Sequence, residues 1–233
     1  GKIEYKDAVM SYFENSPAVL KEVSFTIKGG EKIGVVGRTG SGKSSTIMAL
    51  FRMVELTSGR IEIDGIDISK LNLEEFRGRL AIIPQEPVMF KGTIRSNLDP
   101  FDIYTNEQLW NALELAHLKQ SVLESEMKLE TPIDENGTNY SLGQKQLFCL
   151  ARTILKNSQI LVLDEATAAM DLETDNLIQK TIRTVFKDRT MITIAHRLDT
   201  IIDSDRVLVM DHGKILEFDT VPNLLSNPKG AFT

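Results

Sequence analysis

The sequence is short of cysteine, of surplus positive charge and of long apolar runs, and each shortage closes off a class of protein. A single cysteine, Cys149, excludes an internal disulfide and any cysteine-cluster zinc site. It lies in the apolar run "LFCLA" and reads as a small buried hydrophobe, in keeping with a reducing compartment. The formal net charge is −6 and the pI ≈ 5.2, without the basic stripe of a nucleic-acid surface. No apolar run approaches the ~18 residues needed to cross a bilayer. Repeats and low-complexity stretches are lacking too, and no signal-peptide pattern opens the chain. What remains is an ordinary globular composition, 42% hydrophobic and 26% charged over 233 residues. A chain of that length can bury a core without disulfides or metals. It opens inside a strand-like stretch, "KIEY", and reads as a piece of a longer protein.

Hydrophobic periodicity divides the chain into three stretches. The first predicts strands in "KIEYKDAVMSYF", "LKEVSFTI" and "EKIGVVG", the last after a Gly29-Gly30 turn. A helix is expected from the end of "GRTGSGKSS" through "TIMALFRMV". Strands follow in "GRIEIDGIDI", turning at Asp64-Gly65. Asn72 and Glu75 form a capping-box pattern, and "LAIIPQ" is a further strand stopped by Pro84. From about Phe90 to Leu155 the pattern becomes helical. Thr105 and Gln108 make a second capping box, ahead of one apolar face built from Leu109, Ala112, Leu113 and Ala116. Leu147, Leu150, Ala151 and Ile154 repeat that spacing. Strand–helix alternation then resumes with "QILVLDE", "LIQKTIRTVF", "TMITIAH" and a hairpin, "RVLVMDHGKILEF". The expected architecture is α/β, with a parallel sheet, an N-terminal antiparallel β region and a helical insertion. It is read as one domain, with 1–89 and 156–233 as core and 90–155 as helical subdomain.

Four motifs carry chemistry. Gly37, Arg38, Thr39, Gly40, Ser41, Gly42, Lys43 and Ser44, followed by Ser45, match the phosphate loop G-x-x-x-x-G-K-[ST] between an apolar strand and a helix. Its glycines let backbone N–H groups face phosphate oxygens, and the helix N-terminus adds its positive end. Lys43 would reach the β- and γ-phosphates and Ser44 would hold Mg²⁺. Asp164 ends a buried strand, where a carboxylate can bind Mg²⁺, and Glu165 beside it can polarise an attacking water. His196 follows a strand expected to neighbour that of Asp164, which aims it at the same γ-phosphate. A lone histidine or amide at a strand end says little by itself. With the others present, Gln85 in "IIPQEP" can bridge Mg²⁺ or water.

In this order the motifs resemble the nucleotide-binding domain of an ABC transporter, and the likeness covers essentially the whole chain. The resemblance implies a P-loop NTPase fold and names the parts: Walker A (Gly37–Ser44), Q-loop (Gln85), signature (Ser141, Gly143, Gln144), Walker B ending at Asp164 with Glu165, D-loop (Asp171) and H-loop (His196). It also implies an aromatic that stacks on adenine upstream of Walker A, for which Tyr12 fits and Phe13 competes. "GRTGSGKSS", "IIPQEPVMF", "SNLDPF", "CLART", "DEATAAMD" and "IAHRL" look like the second nucleotide-binding domain of the multidrug-resistance-associated (C) subfamily. ATP and Mg²⁺ are the implied ligands. A companion nucleotide-binding domain, met head to tail, and the transmembrane domains of the same transporter are the implied partners. No nucleic acid and no metal cluster is expected. The implied location is the cytosolic face of a membrane, and the implied activity is a Mg-dependent ATPase driving export. A nucleotide-gated regulatory module of a channel is the alternative. A soluble DNA-repair or translation ABC protein is disfavoured by the short insertion and the acidic surface.

Two positions of the signature depart from the family. Where the signature has L-S-G-G-Q, this chain has Tyr140, Ser141, Leu142, Gly143 and Gln144. Leu142 adds a Cβ and an isobutyl group, expected to block close approach or a positive φ and so to weaken the signature. The chain's own Walker site then hydrolyses ATP, while the opposite site, which borrows this signature, turns over slowly.

Overall fold

The computed structural model describes residues 1–164, 171–195 and 201–232. Glu165 and His196 lie outside them. In chain order the elements are β1 (Ile3–Met10), β2 (Leu20–Ile27), β3 (Lys32–Val36), α1 (Lys43–Leu50), β4 (Ser58–Ile63), β5 (Ile66–Asp67), α2 (Leu73–Gly78) and β6 (Leu80–Ile83). Then come β7 (Gly92–Thr93), α3 (Ile94–Leu98), α4 (Asn106–Leu115), α5 (Lys119–Glu124), β8 (Pro132–Ile133) and α6 (Leu142–Lys156). The last are β9 (Ile160–Asp164), α7 (Leu172–Val185), β10 (Thr190–Ile194), β11 (Arg206–Asp211), β12 (Lys214–Asp219) and α8 (Val221–Leu225). Contacts group the chain into two units: Gly1–Ala81 with Gln159–Glu165 and Asp188–Thr233, and Ile82–Ser158 with Ala166–Lys187.

The first unit is built on β-structure of two kinds. β2, β1, β4 and β5 form an antiparallel sheet in that order. From Val23 to Ile27, β2 alternates buried and exposed side chains, as a half-buried strand must, and Tyr5 stacks on Phe25 with ring centroids 4.4 Å apart. The second sheet has the order β12-β11-β3-β10-β9-β6. β11, β3, β10 and β9 run parallel, and β12 returns antiparallel through the hairpin predicted at His212-Gly213. Ile160, Leu161, Val162 and Leu163 of β9 are all buried, so this strand reads as a continuous apolar run. At roughly 1.5–3 kcal/mol per large apolar side chain, such strands contribute much of the unit's stability.

The helix after the phosphate loop is shorter than its sequence pattern. It stops at Leu50 instead of continuing to Val54, because Arg52 turns into the left-handed region at φ 51. The Arg52 guanidinium donates to the carbonyls of Ile68 (3.0 Å) and Leu71 (2.9 Å) and pairs with Glu55. Those tertiary bonds outrank helix propensity.

In the second unit, Leu109, Ala112, Leu113 and Ala116 of the α4 face are buried, as the spacing predicts. The Thr105–Gln108 capping box forms. In the first unit, Asn72 caps α2 through bonds from Glu74 and Glu75 N–H groups. On α6, Leu147, Leu150 and Ala151 are buried and Ile154 is half-buried. α7 packs beside α6 in the second unit, and Gly143 permits the approach. A Cβ at Gly143 would lie 3.1 Å from Thr174 Cγ2.

Candidate functional site

The parallel sheet aligns the candidate residues of the first unit. Val35, Ile194 and Asp164 occupy one row across β3, β10 and β9. Two strand spacings separate Val35 from Asp164, about 10 Å. The phosphate loop leaves β3 two residues beyond Val35, and Asp164 closes β9 half-buried at the same carboxyl edge. Strand order therefore brings two motifs 120 or more residues apart in sequence to one end of one sheet. β10 ends two residues before His196, and β9 immediately before Glu165.

The phosphate loop is shaped by close approach. A Cβ on Gly37 would collide with Met210 O and Ser41 Oγ, so the first glycine is there for space. Gly42 is the N-cap of α1 at φ 108, and no side chain caps that helix. Left-handed backbone at this point favours glycine. The first-turn N–H groups of Ser44 and Ser45 therefore meet no side-chain cap and lie where an anionic ligand can approach. Lys43 is buried, and its Nζ donates to the carbonyls of Gly37 (2.7 Å) and Arg38 (3.2 Å). Ser41 Oγ is buried without a hydrogen-bond partner. Arg38, Thr39, Gly40 and Ser44 are exposed.

A cavity of about 420 Å³ opens over this loop. Tyr12 lines it, and its hydroxyl shares a 2.8 Å hydrogen bond with Ser45 Oγ of α1. The ring is 40% exposed, so it can still take a planar base. Phe13 is 78% exposed and does not line the cavity. Within the first unit, Ser44 and Asp164 carry hard oxygen donors of the kind that suits Mg²⁺.

The second unit holds the remaining candidates. Gln85 is exposed two residues beyond β6. Its backbone carbonyl, with that of Pro84, accepts from Gln146 Nε2, each at 3.0 Å. Ser141 and Gln144 form a reciprocal capping box at the start of α6. Ser141 Oγ accepts from Gln144 N–H (3.2 Å), and Gln144 Oε1 from Ser141 N–H (3.0 Å). Leu142 is the first residue of α6, exposed, and is not among the described residues at positive φ. Of the two obstacles expected from Leu142, a blocked positive φ does not arise in this chain. The Ser141 cap sets ordinary helical geometry here, and only the isobutyl group's bulk remains as an obstacle. Asp171 caps α7 by accepting from Thr174 N–H (2.9 Å), which holds its carboxyl below the usual carboxylate range.

Sequence reasoning passed over several residues. The Ser141–Gln144 box was legible, as S-x-x-Q ahead of an apolar helix. Gln146 and Arg152 were not legible, because most of their partners are distant in sequence and several are backbone carbonyls. Arg152 donates to Asn97 O (2.6 Å), Asn97 Oδ1 (2.7 Å) and Val88 O (2.5 Å), and burial pushes its pKa down. Ala18, Val19, Lys21, His212 and Gly213, which also line the cavity, belong to none of the four motifs.

Comparison with known proteins agrees with this geometry. A family profile described as ABC transporter matches residues 20–168. The chain is 53% identical over 232 residues to ABC transporter C family member 5 of Arabidopsis thaliana. It is 53% identical over 233 residues to Metal resistance protein YCF1 of Saccharomyces cerevisiae. Each alignment covers 100% of this chain but 15% of the relative's length. A solved structure of a bacterial Atm1-family ABC exporter with ATP bound matches with a TM-score of 0.89 and 36% identity, over 97% of this chain and 39% of that one.

Proposed function

The chain belongs to the ABC transporter family, and on that premise we propose that it is the ATP-binding and hydrolysing domain of a C-subfamily exporter. The observation that carries this reading is the uncapped first turn of α1, offered with Lys43 at the sheet edge that also ends in Asp164. A helix start without a side-chain cap suits an anionic ligand. Identity of 53% to C-family relatives supports the subfamily. The channel-regulating alternative is not favoured by these relatives.

In this reading Tyr12 covers the adenine, and residues Gly37 to Ser45 cradle the phosphates. Lys43 leaves the loop carbonyls for the β- and γ-phosphates. Ser44, Asp164 and Gln85 would hold Mg²⁺, which when bound neutralises charge on the phosphates. Glu165 takes a proton from the attacking water. His196 donates to the γ-phosphate oxygens, where charge has to be stabilised as the bond breaks. Ser141, Gly143, Gln144 and Asp171 serve the ATP held by a companion nucleotide-binding domain in a head-to-tail dimer. ATP closes that dimer and hydrolysis reopens it. The movement is passed to the transmembrane domains of the same transporter, at the cytosolic face of a membrane. Functionally the chain is one domain, with 90–155 as its helical subdomain. No helix among the described residues is long and apolar enough to cross a membrane.

The test is Mg-ATP hydrolysis by the chain across protein concentration, alone and with a companion domain carrying an intact signature. Glu165→Gln is expected to keep ATP binding and lose turnover. Retained steady-state turnover in that variant would remove Glu165 as the base. Failure of the wild-type chain to bind ATP would remove the reading as a whole.

A further inference from the structure

Part of the wall of the cavity that Tyr12 lines is built by a turn that belongs to no nucleotide motif. Asp211 and Lys214 pair across β11 and β12, and His212 and Gly213 between them stand at φ 47 and 79. Two successive left-handed residues make the tight hairpin turn that matches strand twist. The turn is docked on both sides. Gly213 N–H donates to Ser41 O in the phosphate loop at 2.9 Å, and Lys21 N–H at the start of β2 donates to Gly213 O at 2.9 Å. A Cβ on Gly213 would run into Val19 O. One glycine thus ties the phosphate loop to β2 and fixes where the turn's tip stands. That tip is His212, which lines the cavity together with Lys21.

Resting on the nucleotide reading of this site, we propose that the β11–β12 turn is a further element of the nucleotide site, and that His212 contacts the sugar-phosphate part of the bound nucleotide. The argument is one of space and charge. The phosphate loop and α1 engage one end of the ligand and Tyr12 the other, and both line the same cavity as His212. The charged and titratable groups around the imidazole are Asp211, whose Oδ1 lies 3.8 Å from Nε2, Lys214 in the same turn, Lys21 on β2, Tyr12 after β1 and Lys43 on α1. Three of these five are lysines, so the wall around His212 suits an anionic ligand. Loss of the imidazole is therefore expected to weaken binding of a nucleoside triphosphate by about two- to fivefold, as for one screened surface contact.

The experiment is calorimetric titration of the chain with magnesium adenylyl-imidodiphosphate and, as an uncharged probe, with adenosine. Wild type, His212→Gln and Lys43→Ala are compared. The expected result is about two- to fivefold weaker binding of the triphosphate analogue by His212→Gln, with adenosine binding unchanged. Equal affinity for the analogue in wild type and His212→Gln overturns the role of His212 and leaves the nucleotide site standing. Weak binding by wild type that Lys43→Ala does not alter overturns both. His212 is exposed at a turn tip, so the substitution leaves the core untouched.

Discussion

Two helices of this chain begin at loops read as nucleotide motifs, and their first turns are built in opposite ways. α1 starts from Gly42 in left-handed backbone with no capping side chain. α6 starts from Ser141 in extended backbone, with a capping box that satisfies donors on both sides of the cap. Every helix leaves its first N–H groups without intrahelical partners. In α1 no side chain of the protein caps them. In α6 the protein itself supplies an acceptor for one of them, the N–H of Gln144. Accepting that bond does not consume the Ser141 hydroxyl proton, which can still be donated outward. The contrast separates a loop that must enclose its ligand from a surface that only meets one.

Three substitutions break or sharpen that contrast. Lys43→Ala removes the cation that accompanies the open turn of α1. Charge-assisted hydrogen bonds contribute about 1.5–3 kcal/mol, so ATP affinity measured by calorimetry is expected to fall roughly 10- to 100-fold. Unchanged affinity would mean that the open turn alone holds the phosphates. Ser141→Ala removes the closed turn of α6 and is expected to cost about 1 kcal/mol of stability in denaturant unfolding. A loss near zero would show the capping box to be dispensable. Leu142→Gly is the smallest change, under about 1 kcal/mol, because this exposed side chain at a helix start gives up little burial. Mixed with a companion domain of intact catalytic residues, that variant is expected to raise turnover at the site borrowing this signature. An unaltered rate would make the leucine neutral there.

Much of this was legible in the chain. The phosphate loop is a local pattern, and its glycines and lysine act within a few residues of one another. The alternation of apolar strands with amphipathic helices gave the α/β class, since periodicity is imposed by the element itself. What was illegible is what depends on partners distant in sequence. The α1 pattern runs on to Val54, and only the carbonyls of Ile68 and Leu71, reached by Arg52, end it at Leu50. The placing of β10 between β3 and β9 sets which motifs share an edge, and no local signal encodes that order. α7 reads from its spacing as part of the resumed strand–helix alternation, yet its contacts group it with α6 through the Gly143–Thr174 approach. The cavity wall at His212 and Gly213 was invisible for the same reason, since its neighbours Val19, Lys21 and Ser41 are some 170–190 residues away.

The bonds from Gln146 and Arg152 have a consequence for how this surface can change over evolutionary time. Four of their acceptors are main-chain carbonyls, those of Pro84, Gln85, Val88 and Asn97. A main-chain carbonyl is present whatever the side chain, so substitutions at Val88 or its exposed neighbours leave the tether intact. The exposed apolar tips of Val88 and Phe101 stand on or near this anchored stretch. Such an arrangement lets the outward face drift with whatever it meets, while the path of the backbone beneath it is inherited unchanged.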